Sequence, residues 1–123
     1  MLRAGENATA EIVVEVAAGY HINVNPASER YLRATELKVQ PTNNFIVGKP
    51  LYPIGEEIKF NFADAPIRVY TGTVRINLPI RAARSAVVGE TILTGKLEAQ
   101  PCNDHACFPP RTLDVSIPVR IEK

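Results

Sequence analysis

The 123-residue sequence contains no tryptophan, one methionine and only two cysteines. It also lacks any run of the roughly 18 apolar residues that a membrane-spanning helix requires. The formal net charge is +1, so the charge balance gives no indication of nucleic acid or an anionic membrane as a partner. At this length and composition we expect one globular domain over residues 1–123, monomeric and without direct membrane insertion.

Helical periodicity is also missing beyond one or two turns, and the best helical candidate is the short segment 25–33. Ten prolines spread along the chain disfavour helix, because proline lacks a backbone donor and clashes inside a helix. Turn-forming residues separate short apolar runs about every ten residues. Roughly seven or more short strands in this pattern predict an all-β fold, an antiparallel immunoglobulin-like β-sandwich.

Period-two alternation predicts the individual strands, because alternate residues of a strand face the core. Near the C-terminus, Pro118 falls on the polar side and predicts a sheet edge or a bulge at that point. A single long strand is expected to begin near Ile67, with Gly72 marking a bulge inside it. Further strands are predicted at residues 10–16, 35–40, 45–47 and 93–99. The apolar side of the C-terminal strand consists of Leu113, Val115, Ile117, Val119 and Ile121.

What the chain does contain is a compact cysteine segment, Pro-Cys-Asn-Asp-His-Ala-Cys-Phe-Pro-Pro, at residues 101–110. With no third thiol to compete, Cys102 and Cys107 can form only one intramolecular disulfide. If residues 103–106 form a hairpin loop, the cysteines face each other across its first rung. Their Cα atoms would then lie about 4.5–5.5 Å apart, a spacing that a disulfide tolerates. These residues are compatible with three interpretations of the cysteine pair: a structural bridge, a redox-active pair and a metal site.

A metal site would draw on Cys102, His105, Cys107 and His21 as a Cys₂His₂ set. Their spacing is not a usual zinc arrangement, and no phosphate-binding glycine loop or Ser/His/Asp arrangement stands out elsewhere. We therefore expect neither a metal nor a cofactor.

The N-terminal residues 1–6 lack the apolar core of a secretory signal peptide. The chain is therefore expected either in the cytoplasm or, if a signal has been removed, in an oxidising compartment. A disulfide favours the second location, because cytosolic reductants keep thiols reduced.

Several short motifs occur in a recognisable order over roughly residues 11–121. Through these motifs and their order, the chain resembles the N-terminal periplasmic domain of the thiol:disulfide interchange protein DsbD. The most specific part is the Gln-x-Cys and Cys-x-Pro-Pro signature around the cysteine pair. The motifs are Gly-Tyr-His-Ile (19–22), Asn-Pro (25–26), Tyr-Pro (52–53), Tyr-Thr-Gly (70–72), Leu-Glu-Ala-Gln-Pro-Cys (97–102) and Cys-Phe-Pro-Pro (107–110).

The resemblance implies a sandwich whose cysteine pair, in a hairpin at one end, cycles between dithiol and disulfide. Such a domain is periplasmic and passes electrons from a membrane-embedded donor to thioredoxin-like proteins, in a process linked to cytochrome c assembly. It would be a component of a thiol:disulfide interchange enzyme. The alternative is an interaction module with a purely structural disulfide.

By the same resemblance, Cys107 would form the mixed disulfide with partners and Cys102 would resolve it. A cap loop at about residues 56–66 would shield the pair, with Phe60 or Phe62 as the shielding ring. The residues beside these rings depart from the acidic pattern of the family, because Lys59 stands there instead.

Other candidates follow from position alone. His105 lies inside the hairpin loop and, when protonated, can favour a thiolate. Phe108 is expected either as a lid over the sulfurs or as a core residue. Tyr20 and His21 can approach the pair from a neighbouring strand, and we include Tyr20 among the residues that modulate the site.

Overall fold

The computed structural model describes residues 2–29, 31–61 and 63–123, and these residues form ten β-strands. No helix occurs among them, and none of these residues therefore belongs to a helix able to cross a membrane. The strands are β1 (Leu2–Arg3), β2 (Asn7–Glu15), β3 (Ile22–Asn23), β4 (Glu36–Val39), β5 (Phe45–Val47), β6 (Glu56–Ile58), β7 (Ile67–Tyr70), β8 (Thr73–Ala82), β9 (Gly89–Ala99) and β10 (Arg111–Glu122).

The strands form one four-stranded sheet, in the order β1-β10-β9-β4, and two three-stranded sheets, β2-β8-β5 and β3-β7-β6. All pairings are antiparallel except the short parallel contact between β1 and β10. One apolar core contains buried residues from all three sheets, such as Ile22, Ile76 and Leu93. The predicted all-β architecture of antiparallel sheets packed around a core is confirmed.

Alternation in the sequence accounts for the longest strands. On β8 every second residue is buried, from Val74 to Ala82, and the residues between them are exposed or half-buried. On β10 the apolar side runs from half-buried Val115 to buried Ile121, whereas Leu113 at the other end is exposed. β10 pairs regularly with β9 through Pro118, and β1 joins its other side only at Ile121 and Glu122. Pro118 therefore lies at a sheet edge, as predicted, because no strand of the described chain pairs with its free side.

The prediction of one long strand beginning near Ile67 is wrong. The chain forms two strands there, and the break lies at Thr71 and Gly72, where Gly72 has a φ of +63°. β7 pairs with β3 and β6, whereas β8 pairs with β2 and β5. Gly72 is consequently the crossover between two sheets rather than a bulge in one strand.

Gly55 fixes where the β6–β7 hairpin packs. Its φ is +78°, and a Cβ added there would lie 2.6 Å from Val24 Cγ1 and 2.7 Å from the carbonyl oxygen of Val69. Only glycine combines this backbone conformation with so close an approach. The hairpin can therefore lie directly against the segment that follows β3.

The substitutions Gly55→Ala and Gly72→Ala form a matched pair, because both positions have a left-handed backbone and only Gly55 lacks space. Gly72→Ala should cost about 1–2 kcal/mol for the backbone conformation alone. Gly55→Ala should cost about 1–3 kcal/mol more, because the new methyl group meets a backbone carbonyl that cannot turn away. Urea unfolding of the two variants measures the difference. Equal losses would contradict the close packing of the hairpin.

Candidate functional site

The cysteine pair lies in a short three-stranded ribbon that joins the end of β9 to the start of β3. The N–H of His21 donates to the carbonyl of Cys102 and the N–H of Cys102 donates to the carbonyl of His21, each at 2.9 Å. On its other side Cys102 pairs antiparallel with Cys107 and is bonded to it as a disulfide, with the Cα atoms 4.0 Å apart. We call residues 20–22, 101–103 and 106–108 the cysteine ribbon.

A tight turn closes the ribbon at its tip. The side-chain oxygen of Asn103 accepts hydrogen bonds from the N–H groups of His105 and Ala106, each at 2.8 Å. The N–H of Asn103 donates to the carbonyl of Ala106 at 2.9 Å, and the N–H of Phe108 donates to that of Pro101 at 2.9 Å. The cysteines between these bonds form a non-hydrogen-bonded pair, in which side chains come closest. The predicted hairpin loop with facing cysteines is confirmed, and the Cα atoms, 4.0 Å apart, lie closer than the expected spacing of about 4.5–5.5 Å.

The two sulfur-bearing residues differ in exposure. Cys102 lies in the middle of the ribbon, is 0% exposed, and has both its backbone groups bonded to His21. Cys107 lies on the outer edge and is exposed. An external thiol can therefore approach Cys107 far more readily than Cys102.

The burial of His21 is a feature of the site that the sequence did not disclose. Its side chain is 3% exposed and its ring stacks on that of Phe60, with the centroids 4.3 Å apart and the planes 24° from parallel. Burial lowers the pKa of His21 below its ordinary value, and the negative charge of Asp104 partly opposes this shift. The sequence placed His21 on a strand beside the cysteine pair, but its burial and its stacking on Phe60 could not be predicted, because they depend on contacts with residues far along the chain.

The predicted cap segment begins as strand β6 and continues as the turn between β6 and β7. Phe60 is buried with Ala63 in a small apolar cluster that β7 completes, and its ring lies on His21, on the Cys102 side of the ribbon. The ammonium of Lys59 donates to the carbonyl of Phe60 at 2.9 Å and also to that of Ala63. The lysine that departs from the family pattern thus ties the cap turn together. Phe62, the other proposed shielding residue, lies outside the described residues.

Tyr20 and Phe108 lie next to His21 and Cys107 in the chain, so alternation places them on the opposite face of the ribbon. Their ring centroids are 6.1 Å apart and both rings are partly exposed. They line a mostly apolar groove of about 730 Å³, with walls that include Val14, Val16, Leu97 and Leu113. Phe108 therefore packs on Tyr20 and borders a groove instead of lying in the core.

His105 occupies the exposed tip of the hairpin, where its backbone takes part in the turn. The structure thus brings His21, Cys102 and Cys107 together, with Phe60 stacked on His21, and leaves His105 at the exposed tip. Within the described part of the chain, no three His, Cys, Asp or Glu side chains are grouped so that they could hold a metal ion.

Comparison with known proteins shows which family this chain belongs to. The family model for the N-terminal part of the thiol:disulfide interchange protein DsbD matches residues 1–118. The chain belongs to this family. No curated protein matches the chain.

A solved DsbD N-terminal domain shows the same fold. The crystal structure of the Neisseria meningitidis DsbD N-terminal domain in the reduced form matches with a TM-score of 0.57 and 22% sequence identity. The match covers 89% of this chain and 76% of that one. The predicted family and the immunoglobulin-like sandwich are both confirmed.

A bonded cysteine pair in a DsbD N-terminal domain indicates thiol–disulfide exchange. This chemistry requires an attacking thiolate, a disulfide sulfur that it can reach and a leaving sulfur. The ribbon supplies the last two, because Cys107 is reachable and Cys102 is bonded to it.

The variant His21→Phe tests the electrostatic description of the ring. Because the pKa of His21 is lowered in the folded protein, the unfolded chain binds this proton more readily. The contribution of His21 to stability is therefore fully present above pH 6.5 and is lost as the pH falls from 6.5 through the lower folded pKa. Phenylalanine keeps a ring on Phe60 and cannot titrate, so this loss should be absent in the variant.

The measurement is the free energy of unfolding in urea between about pH 8 and pH 5, above the range in which most carboxylates titrate. The control His105→Gln removes the exposed histidine and should retain the native loss. If His21→Phe loses stability with falling pH as steeply as the native protein, the ring is not a buried neutral imidazole.

Proposed function

We propose that residues 1–123 form a single, monomeric redox-relay domain that exchanges its Cys102–Cys107 disulfide with thioredoxin-like proteins of the periplasm. The observation that carries the proposal is the unequal exposure of the two cysteines. Cys107 is exposed on the edge of the ribbon, and Cys102 is fully buried beside it. A relay needs one sulfur that partners can reach and a second that stays in place to release them.

In the reducing half of the cycle, a thiolate of the electron donor attacks Sγ of Cys107. The Cys102–Cys107 bond breaks, Cys102 leaves as a thiolate, and a mixed disulfide joins Cys107 to the donor. The second thiolate of the donor then attacks the donor's own bonded sulfur and releases Cys107 as a thiolate. Two electrons have passed to the domain, which becomes a dithiol, while the donor becomes a disulfide.

In the oxidising half, the Cys107 thiolate attacks a disulfide of the acceptor, whose other sulfur leaves as a thiolate. Cys102 then attacks Sγ of Cys107, the bond to the acceptor breaks, and the acceptor departs as a dithiol. The antiparallel pairing supports this resolving step, because it holds the Cα atoms of the cysteines 4.0 Å apart. Cys102 needs no large movement to reach its target.

The surroundings of Cys107 support a small, transient interface. The apolar groove starts at the next residue, Phe108, and the half-exposed ring of Tyr20 adjoins it. Aromatic residues are enriched at protein interfaces, and weak redox encounters bury little surface. The groove lies on the face of the ribbon opposite to the side chain of Cys107, so a partner that binds around the edge of the ribbon would contact both.

Family membership supports the periplasm as the location and a membrane-embedded protein as the electron donor. It likewise supports a link to cytochrome c assembly. The sulfur chemistry gives the location physical support as well, because a disulfide persists in an oxidising compartment and is reduced in the cytosol.

The second candidate is an interaction module whose disulfide only stiffens a binding loop. The tight turn favours this candidate, because the hydrogen bonds of Asn103 and the cross-strand bonds make the hairpin a well-ordered loop, which a disulfide would stiffen further. A purely structural bridge in such a hairpin would not exchange with partner thiols.

The variants Cys102→Ala and Cys107→Ala separate the two candidates. Each lacks the disulfide and keeps one thiol, so they form a matched pair. The probe is a thioredoxin that retains only its first active-site cysteine, activated as a mixed disulfide with 2-nitro-5-thiobenzoate. The Cys102→Ala variant should capture this thioredoxin at least about tenfold faster than Cys107→Ala, because access governs the exchange rate.

Captured complexes are counted on non-reducing gels, and circular dichroism confirms that both variants are folded. Failure of Cys102→Ala to capture thioredoxin would remove the main support for the relay. Equal rates for both variants would show that the exposure of the two cysteines does not select the attacking sulfur.

A further inference from the structure

His21 and Cys102 lie directly opposite each other across the ribbon, and this places an imidazole close to a cysteine. They form a hydrogen-bonded antiparallel pair, with N–H to carbonyl distances of 2.9 Å in both directions. Directly opposed residues of such a pair project their side chains on the same face, with Cβ atoms about 4.5–5.5 Å apart. Cβ atoms at this spacing place an imidazole ring within reach of a cysteine sulfur on the neighbouring strand.

On the face that they share, these two side chains are shielded from water. Both residues are buried, and the ring of Phe60 covers that of His21. A thiol in such a place loses its proton reluctantly, because burial disfavours the thiolate. Yet Cys102 must become a thiolate to resolve a mixed disulfide. The relay therefore needs a nearby base for this one sulfur.

We propose that His21 is the acid–base residue that takes the proton of Cys102 in the resolving step. This inference rests on the proposed relay and adds a residue to it. His21 is buried and pairs directly with buried Cys102 across the ribbon, whereas the chain's other histidine, His105, is exposed at the tip of the hairpin. His21 is thus the histidine placed for this role.

The resolving step starts from the mixed disulfide, in which Cys107 is bonded to the sulfur of the acceptor and Cys102 is a thiol. A ring nitrogen of His21 accepts the proton of Cys102 while the sulfur's electron pair forms the bond to Sγ of Cys107. The bond between Cys107 and the acceptor breaks, and the acceptor sulfur leaves as a thiolate. The imidazolium then returns its proton to that thiolate or to water.

The charges around the ring suit this cycle. Burial keeps the pKa of His21 low, so the ring is neutral and able to accept a proton at neutral pH. From the hairpin, Asp104 favours the protonated ring that forms during the step. On the cap, the positively charged group next to Phe60 in the chain is the ammonium of Lys59, which donates hydrogen bonds to the carbonyls of Phe60 and Ala63. The arrangement Cys102, His21, Asp104 follows the logic of a nucleophile, a base and an acidic group that supports the base.

The experiment uses 5,5′-dithiobis(2-nitrobenzoate) as a small disulfide in place of a protein partner. The fully reduced domain releases a first thionitrobenzoate when Cys107 attacks the reagent, and a second when Cys102 resolves the mixed disulfide. Stopped-flow absorbance separates the two releases. The variant is His21→Phe, which retains a ring against Phe60, and His21→Gln serves as a second neutral replacement of different shape.

We expect both variants to slow the second release at least about tenfold at neutral pH, as loss of a general base does. The first release should change little, because Cys107 is at the edge of the ribbon. The rate of the second release should level off with rising pH in the native domain. In both variants it should continue to rise, since Cys102 must then ionise without a base. A structural defect alone would not move this pH profile.

An unchanged second release in His21→Phe and His21→Gln, with the native pH profile, would overturn the proposal. An equal slowing by His105→Gln would overturn it too, because the base would then be at the hairpin tip. The relay itself is tested separately by capture of thioredoxin on Cys102→Ala. That variant has no resolving cysteine, so its result does not depend on His21.

Discussion

The position of Cys102 in the centre of a three-stranded ribbon is the constraint on which the site depends. One side of its backbone is bonded to His21 by two hydrogen bonds, and its side chain is bonded to Cys107 on the other side. These contacts bury one sulfur-bearing residue completely and leave its partner on the edge. The proposed division of roles between the two thiols follows from this placement, since access governs exchange.

The sandwich is what holds the ribbon in place. The ribbon continues β9 and β3, and buried residues of both strands belong to the main core, with Leu97 on one and Ile22 on the other. The cap reaches the same site from β6 and β7, where Gly55 permits close packing and Lys59 ties the turn. The scaffold therefore holds an edge cysteine, a buried cysteine and a buried imidazole side by side, and an apolar groove lies beside Phe108.

Local patterns in the sequence predict most of the strands and the hairpin loop, because alternation and the turn-forming residue Asn103 act over short distances. The short strands β1, β3 and β6 were not predicted, since two or three residues show no periodicity. Local patterns fail at Gly72, since the alternation continues across a boundary between two sheets. They also do not predict the pairing of His21 with Cys102, because the two residues lie far apart along the chain. The contacts of Lys59 with the cap carbonyls depend on the shape of a turn that no periodicity encodes.

The reduction potential of the Cys102–Cys107 pair tests the central claim most directly. It is measured by equilibrating the domain with thioredoxin of known potential and quantifying the reduced fraction. A relay requires a value within the range of exchanging couples, about −180 to −270 mV, so that electrons can enter and leave. A value well below about −300 mV would identify an inert structural bridge and contradict the account.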